Sequence, residues 1–195
     1  SLCRVARLTP KNTALFVCDI QERFKDIISC MPTVIRSADI LIESSKILDI
    51  PIVVTEQYPK AFGNTVPELK IENTEKSPVF AKTKFSMYTD DVKNHLATLP
   101  NVKQVILCGI EAHVCVQQTT FDLLENGIGV NIIADGVSSC HAPDRKIALD
   151  ALRQGGAYIT SCESVIFELL RDSRHESFKQ VSALLKKPRV DVGLN

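Results

Sequence analysis

The sequence of 195 residues has no excess of either charge: 23 Lys plus Arg stand against 23 Asp plus Glu, a formal net charge of zero. Nucleic-acid binders usually carry a basic excess or a basic face, so this balance argues against nucleic acid as a partner. The one basic cluster, Lys186, Lys187 and Arg189, is short and reads as a solvated helix end. No apolar run approaches the ~18 residues that a membrane-spanning helix needs, which argues against a membrane as partner. The first residues, Ser-Leu-Cys-Arg-Val-Ala-Arg, have no apolar core of the secretory kind. Internal repeats and low-complexity segments are lacking too. The seven cysteines are odd in number, and none forms a Cys-x-x-Cys pair. Four of them, Cys18, Cys108, Cys115 and Cys162, sit in or beside apolar runs. This pattern predicts a reduced, intracellular compartment, cytoplasmic before mitochondrial, and not a disulfide framework.

Hydrophobic residues make up 45% and charged residues 24%, ordinary for a soluble globular protein. The length suits one domain over 1–195, long enough to fold without metal or disulfide. Short apolar runs alternate with helical stretches. Strands are predicted at Ala14–Asp19, Ile52–Thr55, Val79–Lys82, Val102–Cys108, Ile128–Ala134 and Ala157–Thr160. Helices are predicted at Pro32–Leu48, Asp90–Leu99 (capped by Asp90 or Thr89), Val114–Glu125, Pro143–Gln154, Glu163–Arg171 and Ser177–Lys187. The stretch Glu56–Ser77, rich in Pro, Gly, Asn and Thr, reads as a long, mostly irregular connection of the kind that often carries function. Such alternation predicts an α/β fold of three layers, αβα, around a six-stranded, mostly parallel sheet.

In such sheets, ligands bind outside the carboxyl ends of the strands, where the winding reverses. Asp19, Lys82 and Cys115 all fall near predicted strand ends and would converge there. Cys115 lies in Gly109-Ile-Glu-Ala-His-Val-Cys-Val116, in the first turn of a predicted helix. A helix N-terminus has free N–H groups and partial positive charge, which favour a thiolate and can hold an oxyanion. The alternative is a small core residue. Asp19 ends an apolar strand, where a carboxylate is costly unless partnered. It could move the thiol proton, or serve as a cap or turn residue. The Lys82 ammonium, emerging from Val-Phe-Ala, could stabilise anions or simply snorkel to the surface, and Lys84 is its rival.

Three segments carry a resemblance. Leu15-Phe-Val-Cys-Asp-Ile-Gln-Glu-Arg-Phe24 resembles the opening of the isochorismatase-like hydrolases, with an Asp and then a Gln closing the first strand. Lys82-Thr-Lys-Phe-Ser-Met-Tyr88 resembles their Lys followed by aromatic-Ser-x-aromatic, a register that selects Lys82 over Lys84. The stretch from Val105 to Gly127 around Cys115 resembles their most diagnostic segment, and Asp135-Gly-Val-Ser-Ser139 their Asp-Ala-x-x-Ser. The resemblance covers nearly the whole chain. It implies Cys115 as a nucleophile that forms a thioester, Asp19 as acid and base, and Lys82 as electrostatic support. It also implies a cis peptide between Ile110 and Glu111, with the backbone N–H groups of Glu111 and Cys115 as oxyanion donors.

Thr55-Glu-Gln-Tyr-Pro59 and Thr65-Val-Pro-Glu-Leu69 resemble the isochorismatase-domain-containing subgroup of animals and protists, some of whose members are labelled mitochondrial-associated ribonuclease. Nicotinamidases of the family carry metal-binding histidines after the second strand. This chain has Glu56 there and no histidine before His95, which predicts no such metal site and no cofactor. Isochorismatase itself often lacks the cysteine, since a vinyl ether needs protonation and not a thiol. A nuclease would want clustered carboxylates or paired histidines, and His95, His113, His141 and His175 show no pairing motif. His113 is either a second base or a surface or interface residue. Candidate substrate-binding residues are Gln21, Phe24, Tyr58 and Phe85, with core packing as the alternative for the three aromatics. The expected function is a metal-independent cysteine hydrolase acting on a small-molecule amide or related C–N or C–O bond. The alternative is a non-catalytic binding protein with a vestigial site. The fold's relatives imply a homo-oligomer, a dimer or larger.

Overall fold

The strand at the centre of the sheet decides the architecture. Every residue of β1 (Thr13–Cys18) is buried, because helices cover both of its faces. Leu15 and Val17 point to one side and meet α1 (Met31–Ile47) and two later helices, α6 (Cys162–Leu170) and α7 (Phe178–Leu184). Ala14, Phe16 and Cys18 point to the other side, toward α3 (Asp90–Ala97), α4 (Gln117–Glu125) and α5 (Ala142–Gln154). Period-two alternation along a strand splits the core in this way. Each fully buried large apolar side chain contributes about 1.5–3 kcal/mol, and Leu15, Phe16, Ile106 and Leu107 are among the largest. The computed structural model describes residues 7–188; Cys3, Arg189 and the start of the chain lie outside it.

Among the described residues, six parallel strands run in the order β3-β2-β1-β4-β5-β6. The others are β2 (Ile52–Gln57), β3 (Val79–Lys82), β4 (Gln104–Ile110), β5 (Gly129–Ser138) and β6 (Tyr158–Thr160). The sheet is thus wholly parallel, not mostly so. Winding proceeds outward through β2 and β3, returns to the centre at β4, and continues through β5 and β6. The reversal lies between β1 and β4, where ligands bind in open sheets of this kind.

Several boundaries differ from those expected. β4 runs two residues further, to Ile110, paired there with Ser138 at the end of a β5 that also extends beyond Ala134. A register shift between Leu107 and Gly109 accommodates the extra length. Gly109 has φ +121, and a Cβ there would collide with the Cys18 carbonyl, so only glycine lets β4 lie this close to β1. The helix expected from Val114 begins instead as a π-helical turn, Ala112–Val116, before α4 proper. The 56–77 connection is not wholly irregular: β2 reaches Gln57, α2 (Pro59–Phe62) opens on a first-turn proline, and a 3₁₀ turn covers Pro67–Leu69. Of the two residues considered as the α3 cap, Thr89 fills the role and accepts from the Val92 N–H.

Candidate active site

Asp19 immediately follows β1 with φ +51, a left-handed conformation that Asp tolerates better than most residues. The bend leaves its carboxylate almost wholly buried, at 1% exposure. Both oxygens are partnered: Oδ1 accepts from the Thr55 hydroxyl at 2.7 Å, and Oδ2 from the Lys82 ammonium at 2.8 Å. Thr55 lies on β2 and Lys82 closes β3, so three neighbouring strands meet at one carboxylate.

The Lys82 ammonium has three protons to donate. Its acceptors are Asp19, Gln57 Oε1 at 2.6 Å, the Phe85 carbonyl at 2.8 Å and the Lys84 carbonyl at 3.1 Å. Burial pulls its pKa down, but the Cys18 thiol, the Asp19 carboxylate and the Cys115 thiol, as anions, outweigh it and hold it above the ordinary value. Lys84 points elsewhere and sits 3.5 Å from Asp122.

Cys115 lies in the π-helical turn, nearly buried at 7% exposure. Thr119 Oγ1 donates to the Cys115 carbonyl at 2.6 Å and accepts from the Met87 N–H at 2.8 Å. That hydroxyl therefore ties the cysteine's turn to the segment after Lys82. The peptide between Ile110 and Glu111 is cis. A second thiol, Cys18, sits beside the first and donates to the Ile110 carbonyl at 3.3 Å. Burial, then contact with the Cys115 thiol and the Asp19 charge, pushes the Cys18 pKa well up.

A cavity of about 180 Å³ opens over Asp19 and Cys115. Phe24, Phe62 and Phe85 give it apolar walls, and Gln57 and Glu111 line it as well. Phe24 and Phe62 stack at 4.8 Å with 22° between their planes. Lys82 is not among the lining residues; its ammonium bonds to Asp19, which is.

Two of the expected substrate contacts lie outside the cavity lining. Gln21 is fully buried and does not line the cavity. Its side-chain amide donates to the Gln57 and Gly63 carbonyls, and its oxygen accepts from the Gln57 N–H at 2.7 Å. It clamps the loop that carries Phe62 and touches no open space. Tyr58 is half exposed and also lies outside the cavity lining; its left-handed backbone instead precedes α2. Phe24 and Phe85 do line the cavity. Thr55, Gln57, Phe62 and Cys18 escaped the reading of the sequence. Pro59, a first-turn proline ahead of Phe62, was the available signal for the last turn of α2. His113 bonds to Ser139 Oγ at 2.9 Å and lies 3.4 Å from Glu111 Oε2, outside the cavity. Among the described residues, no group of three or more His, Cys, Asp or Glu is placed to hold a metal ion. None of the described helices is long and apolar enough to cross a membrane.

The isochorismatase domain model matches residues 13–164. The chain belongs to the isochorismatase family. A solved relative, described as MAR1 ribonuclease from Caenorhabditis elegans, is 47% identical, covers 97% of each chain and superposes with a TM-score of 0.90. The secreted isochorismatase effector Isc1 of Phytophthora sojae is 46% identical over 94% of this chain and 89% of its own length. Isochorismatase domain-containing protein 2 of Danio rerio is 43% identical over 97% of this chain and 95% of its own. The parallel sheet and its flanking layers are those of the isochorismatase-like hydrolases, and the cavity lies at the β1/β4 reversal, where open parallel sheets bind ligands.

Proposed function

We propose that this isochorismatase-family chain is a metal-independent cysteine hydrolase acting on a small amide or related C–N or C–O bond. One observation carries the proposal: the buried Asp19–Lys82 pair lies at 2.8 Å beneath a cavity that Cys115 lines. Asp19 takes the Cys115 thiol proton. The thiolate attacks the substrate carbonyl carbon, and a C–S bond forms. Backbone N–H groups of Glu111 and Cys115 receive the oxyanion. The tetrahedral intermediate collapses, the C–N bond breaks, and Asp19 returns the proton to the departing amine. Water, deprotonated by Asp19, then cleaves the thioester and releases the acid. Lys82 supports each anionic step as a fixed charge.

The test is a panel of small amides and esters, with intact-mass and peptide analysis for an acyl adduct on Cys115. Cys115→Ala should lose adduct and turnover together, and Asp19→Asn should lower turnover by about 10²–10⁴-fold. Turnover retained in Cys115→Ala contradicts the proposal, whereas a wild type that forms no adduct and turns over nothing on the panel favours the non-catalytic binding reading.

Likeness to the nematode MAR1 ribonuclease suggests a second reading, ribonuclease. No metal-holding carboxylate group lies among the described residues, and RNA binding that is weak and insensitive to salt would remove it. The compartment and a homo-oligomeric state belong to the proposal as well. Cys18, Cys108, Cys115, Cys140 and Cys162 form no disulfide, in keeping with a reducing compartment. Ile147 and Tyr158, exposed on the adjoining α5 and β6, suit a contact with another copy.

A further inference from the structure

Asp19, Gln57, Glu111 and Cys115 are the polar residues of the cavity lining, and each is engaged elsewhere than with the body of a substrate. Cys115 and Asp19 serve the scissile bond in the proposed reaction, and Asp19 also accepts from Thr55 and Lys82. The Gln57 side chain accepts from Lys82 at 2.6 Å and donates to the Thr83 carbonyl at 2.9 Å. Glu111 Oε1 accepts from the Cys140 thiol at 3.0 Å, and Oε2 lies 3.4 Å from His113 Nδ1. Neither Cys140 nor His113 lines the cavity. What remains to meet the body of a substrate is apolar: Phe24, Phe62, Phe85, Ile110 and Val114.

Size narrows the choice further. An apolar protein cavity of about 150 Å³ is enough to admit benzene. The space of about 180 Å³ here takes a body of about one six-membered ring. Phe24 and Phe62, stacked at 4.8 Å, make one continuous wall for it. A polar atom on that body would leave water without gaining a partner among the phenylalanines, which costs affinity. Phe62 closes the α2 turn, held in place by the bond from Gln21 to the Gly63 carbonyl. It does not come from the strand ends that carry Asp19 and Lys82, so its ring can be changed without removing any of their hydrogen bonds. We infer that Phe62 is a specificity-determining residue, and that the substrate class is a small amide whose acyl body is uncharged, apolar and about the size of one ring. This inference rests on the cavity being the substrate site, as proposed above, but not on the chemistry at Cys115.

Binding can be measured without turnover in Cys115→Ala by titration of the backbone amide NMR signals, which reads weak affinities and shows that each variant is folded. The probes are benzamide, nicotinamide, which differs from it by one polar ring atom, and acetamide, which lacks the body. Benzamide should bind about threefold or more tighter than nicotinamide and about tenfold or more tighter than acetamide. Adding Phe62→Ala should weaken benzamide about tenfold and acetamide less than about twofold. Adding Phe62→Leu, which keeps an apolar wall, should weaken benzamide by no more than about threefold. Acetamide bound as tightly as benzamide, nicotinamide bound as tightly or more so, benzamide affinity unchanged by Phe62→Ala, or no binding of any probe would overturn the inference. Absence of adduct and turnover with this order intact would remove the cysteine chemistry alone. An acyl adduct on Cys115 with the order reversed would remove this inference alone.

Discussion

At the Lys82 ammonium, three protons meet four acceptors, and the nearest charge is the buried Asp19 carboxylate at 2.8 Å. Removing one partner of a buried pair strands the other, so Lys82→Ala should cost about 3–5 kcal/mol of stability, read by urea unfolding. A loss under ~1 kcal/mol would mean that the pair is far more hydrated than its burial implies. The thiols make a second test at this scale. Cys18, Cys108 and Cys162 are buried, and burial raises the pKa of each, that of Cys108 to about 12. Folded protein treated with iodoacetamide near pH 7 should label Cys115 and leave those three unlabelled until denaturant is added, as peptide mass spectrometry will show. Asp19, Lys82 and Cys115 were legible because each occupies a motif position, the first two at strand ends and Cys115 in the turn after β4. The motif register separated Lys82 from Lys84, which the residues taken alone could not do. Phe62 and Gln57 were not legible: they reach the cavity through tertiary hydrogen bonds that leave no periodic trace.

Those hydrogen bonds belong to the scale of elements. The segment around Gln21 pairs with Thr65, and its side chain holds Gln57 and Gly63. The loop 57–63 is thereby fixed over β1, with Phe62 stacked on Phe24. Gln21→Ala would leave partly buried loop groups unpaired, at up to about 1–3 kcal/mol for each unsatisfied group. It should raise amide hydrogen exchange in residues 57–63 while the central strands stay protected. Unchanged exchange there would contradict the clamp. The strand order followed from alternation, but the end of β4 did not. Sequence periodicity placed the strand end at Cys108, whereas Gly109 allows close approach to β1 and carries the pairing on to Ile110. Similarly, the apolar spacing from Val114 reads as helix, while the chain first makes the π-helical turn 112–116 that carries Cys115. Such local departures from regular helix gather at functional positions, and propensity does not foresee them.

Across the whole molecule, the neutral buried thiols and the Lys82 ammonium set the response to alkali. The pKa of Cys108 rises from 9.0 to about 12 through burial first and the Asp135 charge second. A folded value above the unfolded one gives stability that is complete below pH 9.0 and is lost as the pH climbs toward 12. Lys82, also raised, adds a loss of the same sign above its ordinary 10.5. The unfolding midpoint should therefore hold up to about pH 8.5 and fall beyond it, and Cys108→Ala should flatten the first part of that fall. The hydrolase layers and the cavity at the sheet reversal rest on the same parallel topology, and the proposed activity requires Cys115 to be poised there as a nucleophile. The most direct measurement is the rate of Cys115 alkylation near neutral pH, in the wild type and in Lys82→Gln, which keeps a donor toward Asp19. A poised nucleophile requires labelling of wild-type Cys115 faster than a free cysteine peptide and about tenfold or more slower in Lys82→Gln. A rate at or below that of the peptide, indifferent to the Lys82 substitution, would contradict it.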